Sequence, residues 1–160
     1  MTTFQGTVEP LGAVDVGPLQ SWVAAIPYTD WPQQRPLADG RLRPAMVNDL
    51  AWHGFGAATD PVVTALHGLV PAGLRSARRL LSVVMPGHEI PPHVDPQPPD
   101  WWGRVHVPIV SDPASQFFVL GQAFHLRPGT AYAVNTLQEH AVSNVYGVAP
   151  RVHFIVDWSW

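Results

Sequence analysis

The residues most able to do chemistry are His93-Val94-Asp95, then His140, then Arg151. Two imidazoles and a carboxylate are the ligand set of a facial triad. That triad holds Fe(II) on one face and leaves the opposite face open to O2 and a co-substrate. The planar fork of an arginine beyond the second histidine suits the carboxylate tail of a 2-oxo acid. Together these types imply an iron- and 2-oxoglutarate-dependent oxygenase. The pair alone is weak: with 8 His and 9 Asp in 160 residues, chance gives about 8 × 9 / 160, or about 0.45 His-x-Asp pairs. A surface loop with an incidental His and Asp would read the same way, so order and spacing must carry the inference.

Residues two apart on a strand face one side, so His93 and Asp95 can reach one metal. Pro91-Pro92 before them and Pro96 after them restrict the backbone. His140 follows Asp95 by 45 residues, room for four or five short strands before the chain returns to the same point. Alternatively, it is a strand-edge histidine in solvent. Arg151, 11 residues past His140, opens the apolar run Arg151-Val152-His153-Phe154-Ile155-Val156-Asp157. Burying such an arginine is costly unless it is paired; an exposed strand end is the other reading. Arg104-Val105-His106 also alternates, so both side chains can enter one cavity or both can face solvent. Trp101 and Trp102 could line the pocket or simply pack. Arg35, with Arg41 and Arg43, could close over a substrate carboxylate or remain solvated. His53, His67, His88 and His125 read as ordinary surface or packing residues.

The elements that must position these groups follow from composition. The chain has no cysteine, which excludes disulfides, zinc thiolates and cysteine nucleophiles. Net charge is −3, all nine basic residues are arginine, and no basic patch points to nucleic acid or a membrane surface. Arginine without lysine, alongside abundant Ala and Pro, fits a GC-rich bacterial genome. No apolar run is long enough to span a bilayer, and no secretory leader is evident; a cytoplasmic location is expected. Pro 18 and Gly 13 are too many for a helical bundle and suit short strands joined by turns.

A helix capped by Asp15 is expected to end before Pro27, and a second over Pro61–Leu69 with Asp60 as its cap. Strands are expected at 45–52, 80–85, 105–110, 116–120, 122–126, 131–134, 140–146 and 152–158, with 88–94 extended. About eight strands at this spacing predict a mainly β fold, an antiparallel jelly roll or barrel. The whole chain, 1–160, reads as one oxygenase domain: 1–79 supplies helices and supporting strands, and 80–160 the motif-bearing core.

The stretch from Leu81 to Trp158 resembles the aspartyl/asparaginyl β-hydroxylase family of Fe(II)/2-oxoglutarate oxygenases. The likeness rests on Ser82-Val83-Val84-Met85-Pro86-Gly87, Ile90-Pro91-Pro92-His93, Arg104-Val105-His106, Glu139-His140-Ala141-Val142 and Arg151-Val152-His153-Phe154-Ile155-Val156-Asp157, in that order. It implies a double-stranded β-helix, cupin-like, with one or two N-terminal helices outside it. It also implies Fe(II), 2-oxoglutarate and O2 as cofactor and co-substrates. His93, Asp95 and His140 would be the metal ligands and catalytic centre, and Arg151 would bind the distal carboxylate of 2-oxoglutarate. Ser82, Arg104 and His106 match further co-substrate positions. The family's eukaryotic peptide hydroxylases lack the ligating carboxylate, whereas its bacterial members acting on free amino acids such as proline keep it. Asp95 therefore implies hydroxylation of a free amino acid or amino-acid-derived small molecule, and argues against halogenation. A peptidyl hydroxylase and a non-catalytic, cupin-like metal binder remain the alternatives.

Overall fold

The computed structural model describes residues 2–32 and 45–160. In chain order the elements are β1 (Val8–Ala13), α1 (Gly17–Ala25), β2 (Ala45–Val47), α2 (Phe55–Leu66), β3 (Arg75–Val84), β4 (Glu89–His93), β5 (Trp101–Val110), β6 (Gln116–Val119), β7 (Gln122–Phe124), β8 (Thr130–Val134), β9 (His140–Ser143) and β10 (Arg151–Ser159). A six-stranded sheet runs β1-β8-β5-β10-β3-β2 and a four-stranded sheet runs β4-β9-β6-β7. Every strand pairing is antiparallel. This is the expected mainly β, two-sheet jelly roll. No helix among the described residues is long and apolar enough to cross a membrane.

The large sheet is buried on both faces, and β10 shows how the faces divide. Val152, Phe154, Val156 and Trp158 join Leu19 of α1 and Phe55 and Leu66 of α2 in the main core. The alternate residues Arg151, His153, Ile155 and Asp157 therefore turn to the other face. There a second apolar cluster forms between the sheets, from Val84, Val134, Phe117, Val119 and Val142. The polar candidates of the large sheet project into this inter-sheet space.

Several boundaries differ from expectation. The second helix starts at Phe55, and Pro61 sits inside it rather than at its start. Phe55 is fully buried, 5.9 Å edge-on to Phe154 and 5.9 Å from Trp22. That anchorage outweighs the backbone hydrogen bond the proline forfeits. Asp60 caps nothing; its carboxylate pairs with Arg79 at 2.5 Å. The strand expected over 45–52 stops at Val47. β5 begins at Trp101, four residues early, because its tryptophans suit a pleated surface. Gly103 lets Phe4 lie across that strand, since a β-carbon there would meet Phe4 Cβ at 3.2 Å. The first helix ends before Pro27 as expected, but Val16 rather than Asp15 stands at its N-cap; Asp15, one residue further out, accepts the Gly17 N–H on Oδ1 at 3.0 Å.

One buried side chain fixes the approach to β10. Asn144 Nδ2 donates to the Val84 and Ala149 carbonyls, both at 2.9 Å. Its main chain exchanges bonds with Gly87 at 3.0 Å and His88 at 2.9 Å. The ends of β3 and β9 and the loop before Arg151 are thereby clasped together.

Candidate active site

β4 and β9 are neighbours, and their register sets His93 directly opposite His140. The ring centroids lie 4.2 Å apart. Asp95, two residues past the end of β4's ladder, is held by its N–H to the Thr136 carbonyl at 3.0 Å. Gln97 Nε2 adds a bond to Thr136 Oγ1 at 3.0 Å. Ligand atoms of His93, Asp95 and His140 all lie within 4.8 Å of one another. Asp95 Oδ1 is 3.6 Å from His93 Nε2, and Oδ2 is 3.7 Å from His140 Nε2.

The tautomers follow from the partners. His93 Nδ1 contacts the Pro91 carbonyl at 2.8 Å, and His140 Nδ1 the Gln138 carbonyl at 3.0 Å. A carbonyl only accepts, so each Nδ1 carries the proton. Both Nε2 lone pairs are then turned toward Asp95. Carbonyl-anchored histidines of this kind are the usual support of a metal site. Burial holds His140 below its ordinary pKa, the Gln138 bond opposes that, and the nearby His93 charge adds to it. The donor set fits a divalent transition ion: two imidazole nitrogens and one carboxylate, already convergent.

A second polar group lies on the inward face of the large sheet. Arg151 is 2% exposed and its Nη2 donates to His153 Nδ1 at 2.9 Å. His153 Nδ1 lies 3.4 Å from His106 Nδ1. Because His153 Nδ1 accepts from Arg151, its proton sits on Nε2. Arg151 Nη1, His153 Nε2 and His106 Nε2 are all buried without a hydrogen-bond partner among the described residues. Ser82 is buried directly across the ladder from His153. Burial alone pushes the Arg151 guanidinium down to about 9. Burial first, then the Arg151 charge, pushes His106 and His153 well below 6.5, so both are neutral. Buried donors left unmatched are costly, and a buried cation more so. This cluster fits a carboxylate ligand.

Arg104 is placed otherwise than expected. Its Nε and Nη2 grip Asp157 Oδ1 and Oδ2 at 2.8 and 3.0 Å, and its Nη1 bonds to Asp95 Oδ2. Burial alone would lower its pKa, but the bond and charge of Asp157, with those of Asp95, raise it.

Trp101 is buried with its Nε1 3.4 Å from Asp157 Oδ1. Trp102 belongs to the main core and packs on Phe4 at 5.7 Å, so it lines no substrate space between the sheets. Arg35, Arg41 and Arg43 lie outside the described residues. Two residues without an assigned role, His153 and Asp157, prove central to the polar cluster. The signal was present: Arg151, His153 and Asp157 alternate along one strand, as Arg104 and His106 do on its neighbour.

Comparison with known proteins follows the same lines. The structure resembles an oxidoreductase of the 2OG-Fe(II) oxygenase family from Burkholderia pseudomallei, with a TM-score of 0.64 at 17% identity, over 99% of this chain and 93% of that one. It resembles a viral collagen prolyl hydroxylase from Paramecium bursaria Chlorella virus-1 at 0.61 and 10% identity, over 96% of each chain. It also resembles SnoK, an alpha-ketoglutarate-dependent carbocyclase of nogalamycin biosynthesis, at 0.68 and 12% identity, over 95% of this chain and 78% of that one. At such identities the likeness concerns the fold. No curated protein matches the chain. The sequence profile of the aspartyl/asparaginyl beta-hydroxylases matches residues 58–159. That span, well over half of the chain, takes in most of α2, all but the first two strands and every residue of the His93–Asp95–His140 and Arg151 clusters, so the chain belongs to the aspartyl/asparaginyl beta-hydroxylase family.

Proposed function

We propose that the protein is an Fe(II)/2-oxoglutarate-dependent dioxygenase. It hydroxylates an unactivated C–H bond of a free amino acid or an amino-acid-derived small molecule. The observation that carries this reading is Arg151: a buried guanidinium with one unmatched amino group, in the same inter-sheet space as three convergent metal-ligand atoms. A plain metal binder has no use for such an arginine, whereas a 2-oxo diacid supplies the anion it lacks.

In this reading His93, Asp95 and His140 hold the metal. Arg151 fixes the distal carboxylate of 2-oxoglutarate, with His153 Nε2–H as a second donor and Ser82 and His106 beside it. When bound, iron, O2 and 2-oxoglutarate together supply the oxidant, and the co-substrate leaves as succinate and CO2. The chain contributes position and dryness. Phe117, Val119 and Val142 exclude water beside the polar cluster, which strengthens each charge interaction there. The carbonyl-anchored histidines keep their protons on Nδ1 and present Nε2 to the metal. Asp95 in the ligand set supports a small amino-acid substrate over a peptide.

The test is a mass-spectrometric screen of the Fe(II)-loaded protein with 2-oxoglutarate and O2, offering free amino acids and short peptides in parallel. A gain of one oxygen atom on a free amino acid, matched by stoichiometric succinate, is expected. Oxidation of peptides only would replace this reading with peptidyl hydroxylation. No succinate with any substrate would favour a metal-binding jelly roll without turnover.

A further inference from the structure

Asp95 does not stand alone at the end of β4. Its Oδ2 is bonded by Arg104 Nη1, and the rest of the Arg104 fork is committed to Asp157. Arg104 and Asp157 face each other across the β5–β10 ladder, so the sheet register itself sets the pair. Asp157 is 4% exposed, and both its oxygens are used, Oδ1 also by the Trp101 indole. Side-on binding through Nε and Nη2 leaves a guanidinium no freedom to rotate. Nη1 is therefore aimed at one place, and that place is Asp95 Oδ2.

We infer that Arg104 and Asp157 form a buried brace that holds Asp95 to a single metal-facing oxygen, and that Arg104 is a positioning residue rather than a co-substrate contact. With Oδ2 engaged, Oδ1 is the oxygen left for a metal; it lies 3.6 Å from His93 Nε2. A carboxylate so held cannot swing to chelate through both oxygens. An extra coordination position then stays open for co-substrate and O2, as a facial triad requires. The charges also balance locally. Asp157 neutralises Arg104 and stops it from simply cancelling Asp95. Arg151 is left as the cation that awaits a ligand.

This inference rests on the proposed metal site, and its test uses metal binding rather than turnover. Co(II) is titrated anaerobically into the wild-type protein and into Arg104→Met and Asp157→Asn. Affinity is read from the titration, ligand geometry from the visible d–d absorption, and 2-oxoglutarate affinity from calorimetry on the Co(II)-loaded forms. Both substitutions should weaken Co(II) by about 10–100-fold, the cost typical of losing a residue that orients a metal ligand. Both should also change the intensity of the d–d bands. Affinity for 2-oxoglutarate should stay within about threefold. The Asp157→Asn result separates bracing from contact, because Asp157 reaches Asp95 only through Arg104. Arg104→Met with unchanged Co(II) affinity and lost 2-oxoglutarate binding would overturn the inference in favour of direct co-substrate contact.

Should Arg104→Met fail to fold by circular dichroism, the double variant Arg104→Met/Asp157→Leu removes both buried charges together and leaves neither unpaired. The same loss of Co(II) affinity is expected of it, and wild-type affinity in the double variant overturns the brace. A wild-type protein that binds no Co(II) at all would refute the metal site first, and the brace with it.

Discussion

Arg151→Met should make the ligand-free protein more stable while destroying its response to 2-oxoglutarate. Burial lowers the Arg151 guanidinium from its ordinary value to about 9. At 1.36 kcal/mol per pH unit this is an uncompensated cost of about 5 kcal/mol to the folded protein. The sign is fixed by linkage. From about 9 up to the ordinary arginine value, the unfolded chain binds the proton and the folded one does not. Stability therefore rises with pH across that window, and at pH 7 the full cost is present. Methionine removes the charge and keeps much of the volume. It also strands His153 Nδ1, which loses its 2.9 Å donor, at a cost of about 1–3 kcal/mol. A net gain of about 2–4 kcal/mol remains, which for a chain of this size raises Tm by roughly 4–16 °C. The assay is thermal unfolding with and without 2-oxoglutarate in the presence of Zn(II). Wild type should be stabilised by the ligand, and Arg151→Met should be more stable than wild type alone but indifferent to it. A variant less stable than ligand-free wild type, or one still stabilised by 2-oxoglutarate, would refute the idea of an arginine held in reserve for an anion.

Other consequences can be checked singly. His140→Ala should abolish metal binding by titration yet leave the circular dichroism spectrum intact, since the ring is held by one carbonyl at a strand end. Because burial pushes His106 and His153 well below 6.5, the unfolded chain gains protons first as pH falls. Stability should therefore drop as pH is lowered through and below 6.5, by up to about 1.4 kcal/mol per pH unit for each histidine. A urea midpoint unchanged between pH 7 and pH 5 would contradict two buried neutral imidazoles. Trp158→Ala, in the fully buried helix-side core, should cost about 3–5 kcal/mol in urea unfolding. Trp102→Phe should leave 2-oxoglutarate affinity unchanged in calorimetry, because that ring packs on the far side of the sheet from Arg151.

The metal-ligand candidates were legible because histidine and aspartate at i and i+2 declare a shared face before any fold is known. The jelly roll was legible from turn spacing, and Arg151 from its cost on an apolar strand. What could not be read depended on register. Asp157 meets Arg104 only because β10 pairs with β5 at that offset, which no local pattern reveals. Hence Arg104 was expected on the co-substrate, not on Asp95. Trp102 was ambiguous for a related reason: strict alternation would set it on the face of Arg104 and His106, but the β5–β10 register shifts between Trp158 and Ser159 and the ring lies in the main core. The start of α2 was hidden by Pro61, whose helix-breaking signal is local, whereas the Phe55 contacts that override it join distant segments.

The most direct test of the central claim is an anaerobic titration of the metal-free protein with Fe(II) and 2-oxoglutarate, followed by visible absorption. A metal-to-ligand charge-transfer band should appear only when both are present, and should be absent in His93→Ala. Iron binding without the band would contradict the co-substrate site, and binding of neither would contradict the oxygenase assignment altogether.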